Sequence, residues 1–254
     1  MPIRILAAGA FAGALVVNAL ANRLPLGGRT TGELSALYPN LFVPAGVTFS
    51  IWGPIYLLVG AWAVAQFFPS RAELGRRIAP HFALSSLLNA GWLLAWHYER
   101  VVLSLLIMLA LLAVLLRLNV VMKERSGEAM PGLLPRAAFG IYLGWILVAT
   151  LVNATALLVA FEWDGTLAAL SISDRAWAII LVLIGAAAAV LTLRTLRNAF
   201  VGLAVVWAFG GIALNRWHDV PSIAWTAIGM MGLVGVFTAA EPLRRLRHSP
   251  RYSG

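Results

Sequence analysis

The chain lacks cysteine altogether and is poor in charge. Of its 254 residues only 11% are Asp, Glu, Lys or Arg, whereas 61% are hydrophobic; an ordinary soluble domain is about 45–50% apolar and about 25% charged. The absence of cysteine excludes disulfides, thiolate catalysis and cysteine-ligated metal sites. The shortage of charge leaves too few polar side chains to cover a surface that faces water, so the composition predicts a protein embedded in lipid.

Long apolar runs that contain no Asp, Glu, Lys or Arg recur along the chain, and short charged clusters separate them. About 20 apolar residues are needed to cross the hydrocarbon core of a bilayer as a helix. Eight such runs are present, at residues 5–21, 45–68, 79–96, 101–116, 137–161, 176–193, 199–214 and 223–240. We therefore predict an all-α integral membrane protein with about eight transmembrane helices.

The basic residues are distributed unevenly over the segments that flank these runs. Fourteen of the 19 Lys and Arg residues lie at the two chain ends or in the connections on the same side, and five lie on the other side. Cytoplasmic loops retain Lys and Arg. We therefore expect a protein of the bacterial inner membrane with both termini on the cytoplasmic side. The basic residues belong to separate loops rather than to one folded module, and no nucleic-acid partner is expected.

The first run has features of two kinds of segment. Arg4 followed by an apolar stretch and Ala19-Leu20-Ala21 is typical of a signal peptide with its cleavage site. The run is longer than a usual signal-peptide core, which favours a retained first helix. An intact-mass measurement distinguishes the two.

Two further features concern packing. The connection at residues 23–44 is longer than a turn, and its second half is too apolar for disorder, so we predict that it folds back over the external end of the bundle. Gly9 and Gly13, and likewise Gly140 and Gly144, form small-residue pairs four positions apart, a spacing that favours close contact between membrane helices.

Asp, Glu, Lys and Arg, which inside a span are the usual mark of an ion or proton pathway, are absent from the runs. Amides and aromatic rings are present instead, and several share one face of a helix. From the predicted topology and a rise of about 1.5 Å per residue, most of these residues lie at similar depths, with Trp145 deeper. The candidate binding residues are Trp52, Tyr56, Asn89, Trp92, Trp145, Ala149 and Asn153.

A single cavity reached from the external side would bring these seven residues together. Aromatic walls with a few amides suit a flat, largely apolar ligand. The alternative is that the tryptophans only pack the bundle or anchor it at the membrane interface. No catalytic residue and no metal site is predicted, and no cofactor is required.

Three motifs carry a resemblance to a known family. Residues 39–56 read PNLFVPAGVTFSIWGPIY, residues 88–92 read LNAGW, and residues 142–153 read YLGWILVATLVN. In order and spacing these segments resemble the second, third and fifth helices of the tryptophan-rich sensory protein (TspO/translocator protein) family. Tyr38-Pro39 replaces the usual Lys-Pro of that family, and Phe42 stands where a tryptophan is common.

The apolar runs after residue 161 predict a unit at residues 162–254 with three additional transmembrane helices and a basic cytoplasmic tail. The resemblance implies that residues 1–161, including the external loop 23–44, form a five-helix bundle. It also implies binding of porphyrins, other tetrapyrroles or sterol-like molecules, often by a homodimer. The three extra helices have no counterpart in short members and could cover the surface that those members use to dimerise.

The leading interpretation is a membrane sensor or binding protein for such an apolar or tetrapyrrole-like molecule, with a role in its transport or turnover. Two alternatives remain open from the sequence. One is a multi-pass facilitator of a small neutral solute, and the other is an enzyme that degrades porphyrin in the light.

Overall fold

A computed structural model describes residues 1–23, 28–124, 132–161 and 172–248. All regular structure in these ranges is helical. The helices are α1 (Pro2–Arg23), α2 (Thr31–Ala36), α3 (Trp52–Ala65), α4 (Ala72–His97), α5 (Val101–Glu124), α6 (Leu133–Ala160), α7 (Asp174–Leu196), α8 (Ala199–Arg216) and α9 (Pro221–His248). Eight helical segments, all but α2, are long and apolar enough to cross a membrane. The predicted fold class and number of spans are confirmed.

Two of the spans begin differently from the apolar runs. The second span starts as a 3-10 helix, Gly46–Ile51, and becomes α3 at Trp52; Pro54 lies in the first turn of α3, where its missing N–H group is not needed. The third span, α4, begins before its apolar run, and Glu73 pairs with Arg76 and Arg77 on the exposed turns that precede the run.

Aromatic side chains hold four of the first five spans together at the centre of the bundle. The ring of Phe82 in α4 lies 5.8 Å from that of Phe11 in α1 and 5.6 Å from that of Phe139 in α6, and Trp62 of α3 lies 6.4 Å from Phe139. All four rings are buried. This core fixes α1, α3, α4 and α6 around one axis.

Of the last three spans, α7 and α8 pack on this bundle and α9 packs on α7 and α8; the contact of α8 with α6 is made through small residues. A side-chain Cβ at Gly144 of α6 would lie 2.2 Å from the carbonyl oxygen of Val201 in α8, so the two backbones are nearly in contact. Near the start of α6, the Asn198 amide donates to the Arg136 carbonyl at 3.0 Å and to Asn119 Oδ1 at 3.2 Å. These hydrogen bonds join α5, α6 and the start of α8.

The two ends of the bundle differ in what they carry. The end that holds residues 28–45, called here the loop end, also holds the start of α7 and the turn between α8 and α9. The opposite, terminal end holds the start of α1. The described part of the predicted loop begins at Gly28 and packs on the bundle, with Leu34 and Phe42 buried and Trp96 Nε1 3.4 Å from the carbonyl oxygen of Thr31.

Parts of the predicted organisation lie outside the described residues. These are residues 24–27 of the loop, residues 162–171 at the start of the predicted second unit, and the tail beyond residue 248. The proposed division of the chain at residue 161 stays a prediction.

Candidate ligand-binding site

Tryptophan side chains from three spans meet around Trp52, the first residue of α3. The Trp52 ring lies 6.2 Å from that of Trp92 in α4 and 6.3 Å from that of Trp145 in α6, measured between centroids. The first pair is nearly parallel and the second is edge-on, two arrangements that aromatic pairs prefer. Tyr56 and Tyr142 are 5.2 and 5.9 Å from the same ring. These five rings are called the aromatic cluster.

A chain of hydrogen bonds runs behind the aromatic cluster and joins three helices. The Asn18 amide of α1 donates to the Tyr56 hydroxyl at 3.1 Å, and that hydroxyl donates to Asn89 Oδ1 of α4, also at 3.1 Å. Each amide thereby satisfies part of the hydrogen-bonding capacity that would be costly to leave unmet in hydrocarbon. These two hydrogen bonds hold the Tyr56 ring against the ring of Trp52.

Two buried donors near the cluster have no acceptor among the described residues. They are the Nδ2 group of Asn89 and the indole Nε1 of Trp92. A buried donor without a partner costs about 1–3 kcal/mol. An acceptor brought by a ligand would recover part of that free energy.

The fifth-span candidates occupy the other side of the cluster. Asn153 is buried and its Oδ1 accepts a hydrogen bond from Ser104 Oγ of α5 at 3.0 Å. Ala149 lies one turn away and leaves space beside Trp145. The small side chain at position 149 therefore lines an opening together with Trp145 and Asn153.

That opening is small. Five of the seven candidate residues line it, namely Trp52, Trp92, Trp145, Ala149 and Asn153, whereas Tyr56 and Asn89 lie behind Trp52. Its volume is about 30 Å³, close to the share of one water molecule in the liquid. The structure thus brings the predicted residues together, but it leaves them packed rather than arranged around an open cavity.

A much larger space, the loop-end chamber, lies beside the cluster. Its volume is about 630 Å³, within the 300–1,000 Å³ range of ligand sites. Loop residues form one wall, and the ends of α6, α7 and α8 supply the others through Leu158, Trp177, Asn215 and Arg216. Sequence reasoning missed this chamber, because its residues lie at span ends that look like ordinary helix termini.

The linking segment, residues 40–48, forms part of the chamber wall and is fastened to α8. At the chamber, Asn215 Nδ2 donates to the carbonyl oxygen of Val43 at 2.9 Å. Arg216 donates to the carbonyl oxygens of Leu41 and Asn40, both at 3.2 Å. The Arg216 side chain is only 15% exposed, so these bonds are shielded from water.

Deeper along α8 the contact becomes closer. Trp207 Nε1 donates to the carbonyl oxygen of Thr48 at 2.8 Å, and the Ala45 N–H group donates to the carbonyl oxygen of Gly211 at 3.0 Å. A Cβ at Gly211 would lie 2.0 Å from Thr48 Oγ1. Only glycine at position 211 allows the segment to approach α8 this closely.

One ion pair stands at the edge of the chamber. Arg216 donates to Asp219 at 2.5 Å. Desolvation acts to raise the pKa of the Asp219 carboxyl, but the hydrogen bond and positive charge of Arg216 outweigh it and hold that pKa below its usual value. Asp219 therefore remains a charged partner for Arg216 at neutral pH. The described residues contain no cluster of three or more His, Asp and Glu side chains that could hold a metal ion.

The eight long apolar helices define a multi-pass helical membrane protein, which is in contact with the lipid bilayer. The model of the TSPO-like protein family matches residues 4–240, a range that covers all eight spans except two residues at the start of the first and two at the end of the last. The chain belongs to this family, as the motifs predicted. No curated protein and no solved structure matches the chain.

Proposed function

We propose that this protein is a membrane sensor or binding protein for an apolar, flat small molecule of the tetrapyrrole or sterol-like class, held at the aromatic cluster. The observation that carries the proposal is the convergence of Trp52, Trp92 and Trp145 from three spans. Ring faces and edges in this arrangement offer stacking to a planar molecule. The membership of the TSPO-like family supports the same class of ligand.

The two buried N–H donors without an acceptor beside the rings narrow the class of ligand that would fit the site. Asn89 Nδ2 and Trp92 Nε1 would each gain an acceptor from a carbonyl, carboxylate or ring nitrogen. A pure hydrocarbon would leave both donors unpaired. The expected ligand is therefore a planar apolar molecule that carries at least one hydrogen-bond acceptor.

Binding at the cluster requires side chains to move. A cavity of about 30 Å³ admits no ring system, so a ligand has to displace indole rings and replace their contacts with its own. Trp52 is the side chain best placed to move, since it is partly exposed whereas Trp92 and Trp145 are buried. We expect a slow step after the ligand first contacts the protein, in which the indole rings move, followed by tight binding of the ligand.

The charge distribution sets the orientation that we propose for this site. With the termini in the cytoplasm, the loop end and the linking segment face the outside of the cell. The ligand would then reach the protein from the periplasm or from the outer leaflet of the inner membrane. A homodimer, as the family resemblance implies, remains a prediction.

Quenching of tryptophan fluorescence by protoporphyrin IX in detergent tests the proposal. Trp52→Ala combined with Trp145→Ala removes two ring contacts worth about 0.5–1.5 kcal/mol each, and the affinity should fall about 10–100-fold. The matched control is Trp217→Ala with Trp225→Ala, a second ring pair at 5.4 Å whose members are exposed. The control should bind like the wild type. Equal affinity of both double variants would remove the proposed site.

A further inference from the structure

The loop-end chamber and the small cavity of the aromatic cluster are neighbours with a shared wall. Ser35, Pro44 and Phe49 line both spaces. Phe49 belongs to the 3-10 helix that leads into α3, and its ring meets Trp145 edge-on at 5.7 Å. Of the three shared residues, Phe49 has the largest side chain, and rotation of that ring would connect the two spaces.

The linking segment is poorly suited to move as a lid. Five hydrogen bonds tie it to α8, and four of them end on its own carbonyl oxygens. Lifting it would break all five and expose the close contact between Thr48 and Gly211. Displacement of one aromatic side chain disturbs far fewer contacts than displacement of this segment.

The chamber has chemistry of its own for an amphipathic molecule. Leu158, Val159 and Trp177 provide an apolar wall. Arg216 provides charge on the α8 side, and three of its five N–H donors are used by Leu41, Asn40 and Asp219, so two are left for a ligand. Asp174 stands on the α7 side, so an acidic group is expected to turn towards Arg216.

We propose that the loop-end chamber is a second binding site, which receives an apolar molecule bearing a carboxylate and passes it to the aromatic cluster past the side chain of Phe49. This inference rests on the proposed function of the cluster. It assigns a role to α7 and α8: both help to build the chamber, and α8 holds the linking segment while the ligand moves past Phe49.

Stopped-flow fluorescence with protoporphyrin IX, on the full chain in detergent, separates the two sites. The wild type should show two phases of quenching, the first from Trp177 in the chamber and the second from the cluster. Trp177→Phe should remove most of the first phase and keep the second. Trp225→Phe, at an exposed position, should change neither phase. A first phase that survives Trp177→Phe unchanged overturns the chamber as a binding site.

Phe49 is tested by the rate of the second phase. Phe49→Ala should accelerate that phase roughly tenfold by removing the ring between the two spaces, and Phe49→Leu should give an intermediate rate. The Leu variant also keeps an apolar side chain at this position in case the Ala variant folds poorly. An unchanged or slower second phase in a folded Phe49→Leu protein overturns the role of Phe49.

A reversible crosslink tests whether the linking segment has to lift. The chain has no cysteine, so Val43→Cys with Asn215→Cys allows a single disulfide, placed where Asn215 contacts the Val43 carbonyl. Both phases should persist after oxidation, at the rates of the reduced protein. Loss of the second phase on oxidation and its return on reduction would show that the segment opens, which overturns the route past Phe49.

The carboxylate preference is tested with protoporphyrin IX dimethyl ester, which has the same ring but no acid. The first phase should weaken at least about tenfold for the ester, because the charge-assisted bond to Arg216 is lost. Equal binding of acid and ester in the first phase overturns the assignment of an anionic ligand. If the wild type shows no quenching by either porphyrin, the proposed function itself fails, independently of the chamber.

Discussion

The aromatic cluster and the loop-end chamber lie side by side, yet they differ in almost every respect. The cluster consists of rings from α3, α4 and α6 packed to a cavity of about 30 Å³. The chamber has about 630 Å³ and walls from the loop, α6, α7 and α8. Residues with recognisable binding chemistry thus occupy the filled region, and the space occurs where chain segments distant in sequence meet.

The largest effect is expected where both regions depend on one contact, between α6 and α8. Gly144→Ala places a Cβ 2.2 Å from the carbonyl oxygen of Val201, and backbone offers little room to relax, so the free energy of unfolding should fall by about 3 kcal/mol. Thermal unfolding in detergent measures it. Gly13→Ala adds a Cβ that would meet no other part of the described structure within 4 Å, so the free energy of unfolding should stay the same or rise slightly. Similar losses in both variants would contradict this account of the α6–α8 contact.

A smaller effect, confined to the chamber side, is expected at α8. Gly211→Ala would place a Cβ 2.0 Å from Thr48 Oγ1 and push the linking segment away, at a cost of about 2 kcal/mol. Thermal unfolding should report that loss, and Trp177 quenching should change while quenching of the cluster is retained. The adjacent Gly210, whose nearest neighbour is 3.6 Å away, provides the control: Gly210→Ala should unfold at or above the wild-type temperature.

The smallest effect is expected at the cluster. Tyr56→Phe removes the hydroxyl that links Asn18 to Asn89, and hydrogen bonds between membrane helices average about 0.6 kcal/mol. The free energy of unfolding should fall by about 1 kcal/mol, and only the second phase of fluorescence quenching should change. Tyr98→Phe, at an exposed position beyond α4, is the control. A change in the first phase after Tyr56→Phe would show that the two regions are not separable.

The sequence was sufficient for the spans and for the convergence of the rings. Runs without charge cross lipid as helices, which satisfy their backbone polar groups internally. The rise per residue placed most candidate residues at similar depths, with Trp145 deeper, whereas the structure places the Trp145 ring 6.3 Å from that of Trp52. The family was predicted from the same residues and is confirmed by the match over residues 4–240. These conclusions depend on local patterns, which a single chain displays directly.

The remaining features depend on which helix meets which. Gly9 and Gly13 have the same spacing as Gly140 and Gly144. A Cβ added at either of the first two would meet nothing within 4 Å, whereas a Cβ at either of the second two would collide with α8 or its N-cap residue. Likewise Asn215 and Arg216 look like an ordinary polar helix end until the linking segment is placed beside them. Spacing along one helix contains no information about its partner, so the chamber could not be predicted.

The attachment of the linking segment to α8 has a consequence for how this protein can change. Trp207, Asn215 and Arg216 all bind main-chain carbonyl oxygens of that segment, which every amino acid possesses. The side chains at positions 41 and 43 are therefore replaceable without loss of these anchors, whereas proline at position 45 would delete the N–H group that reaches Gly211. The wall of the chamber can be retuned for different molecules while its framework is inherited intact.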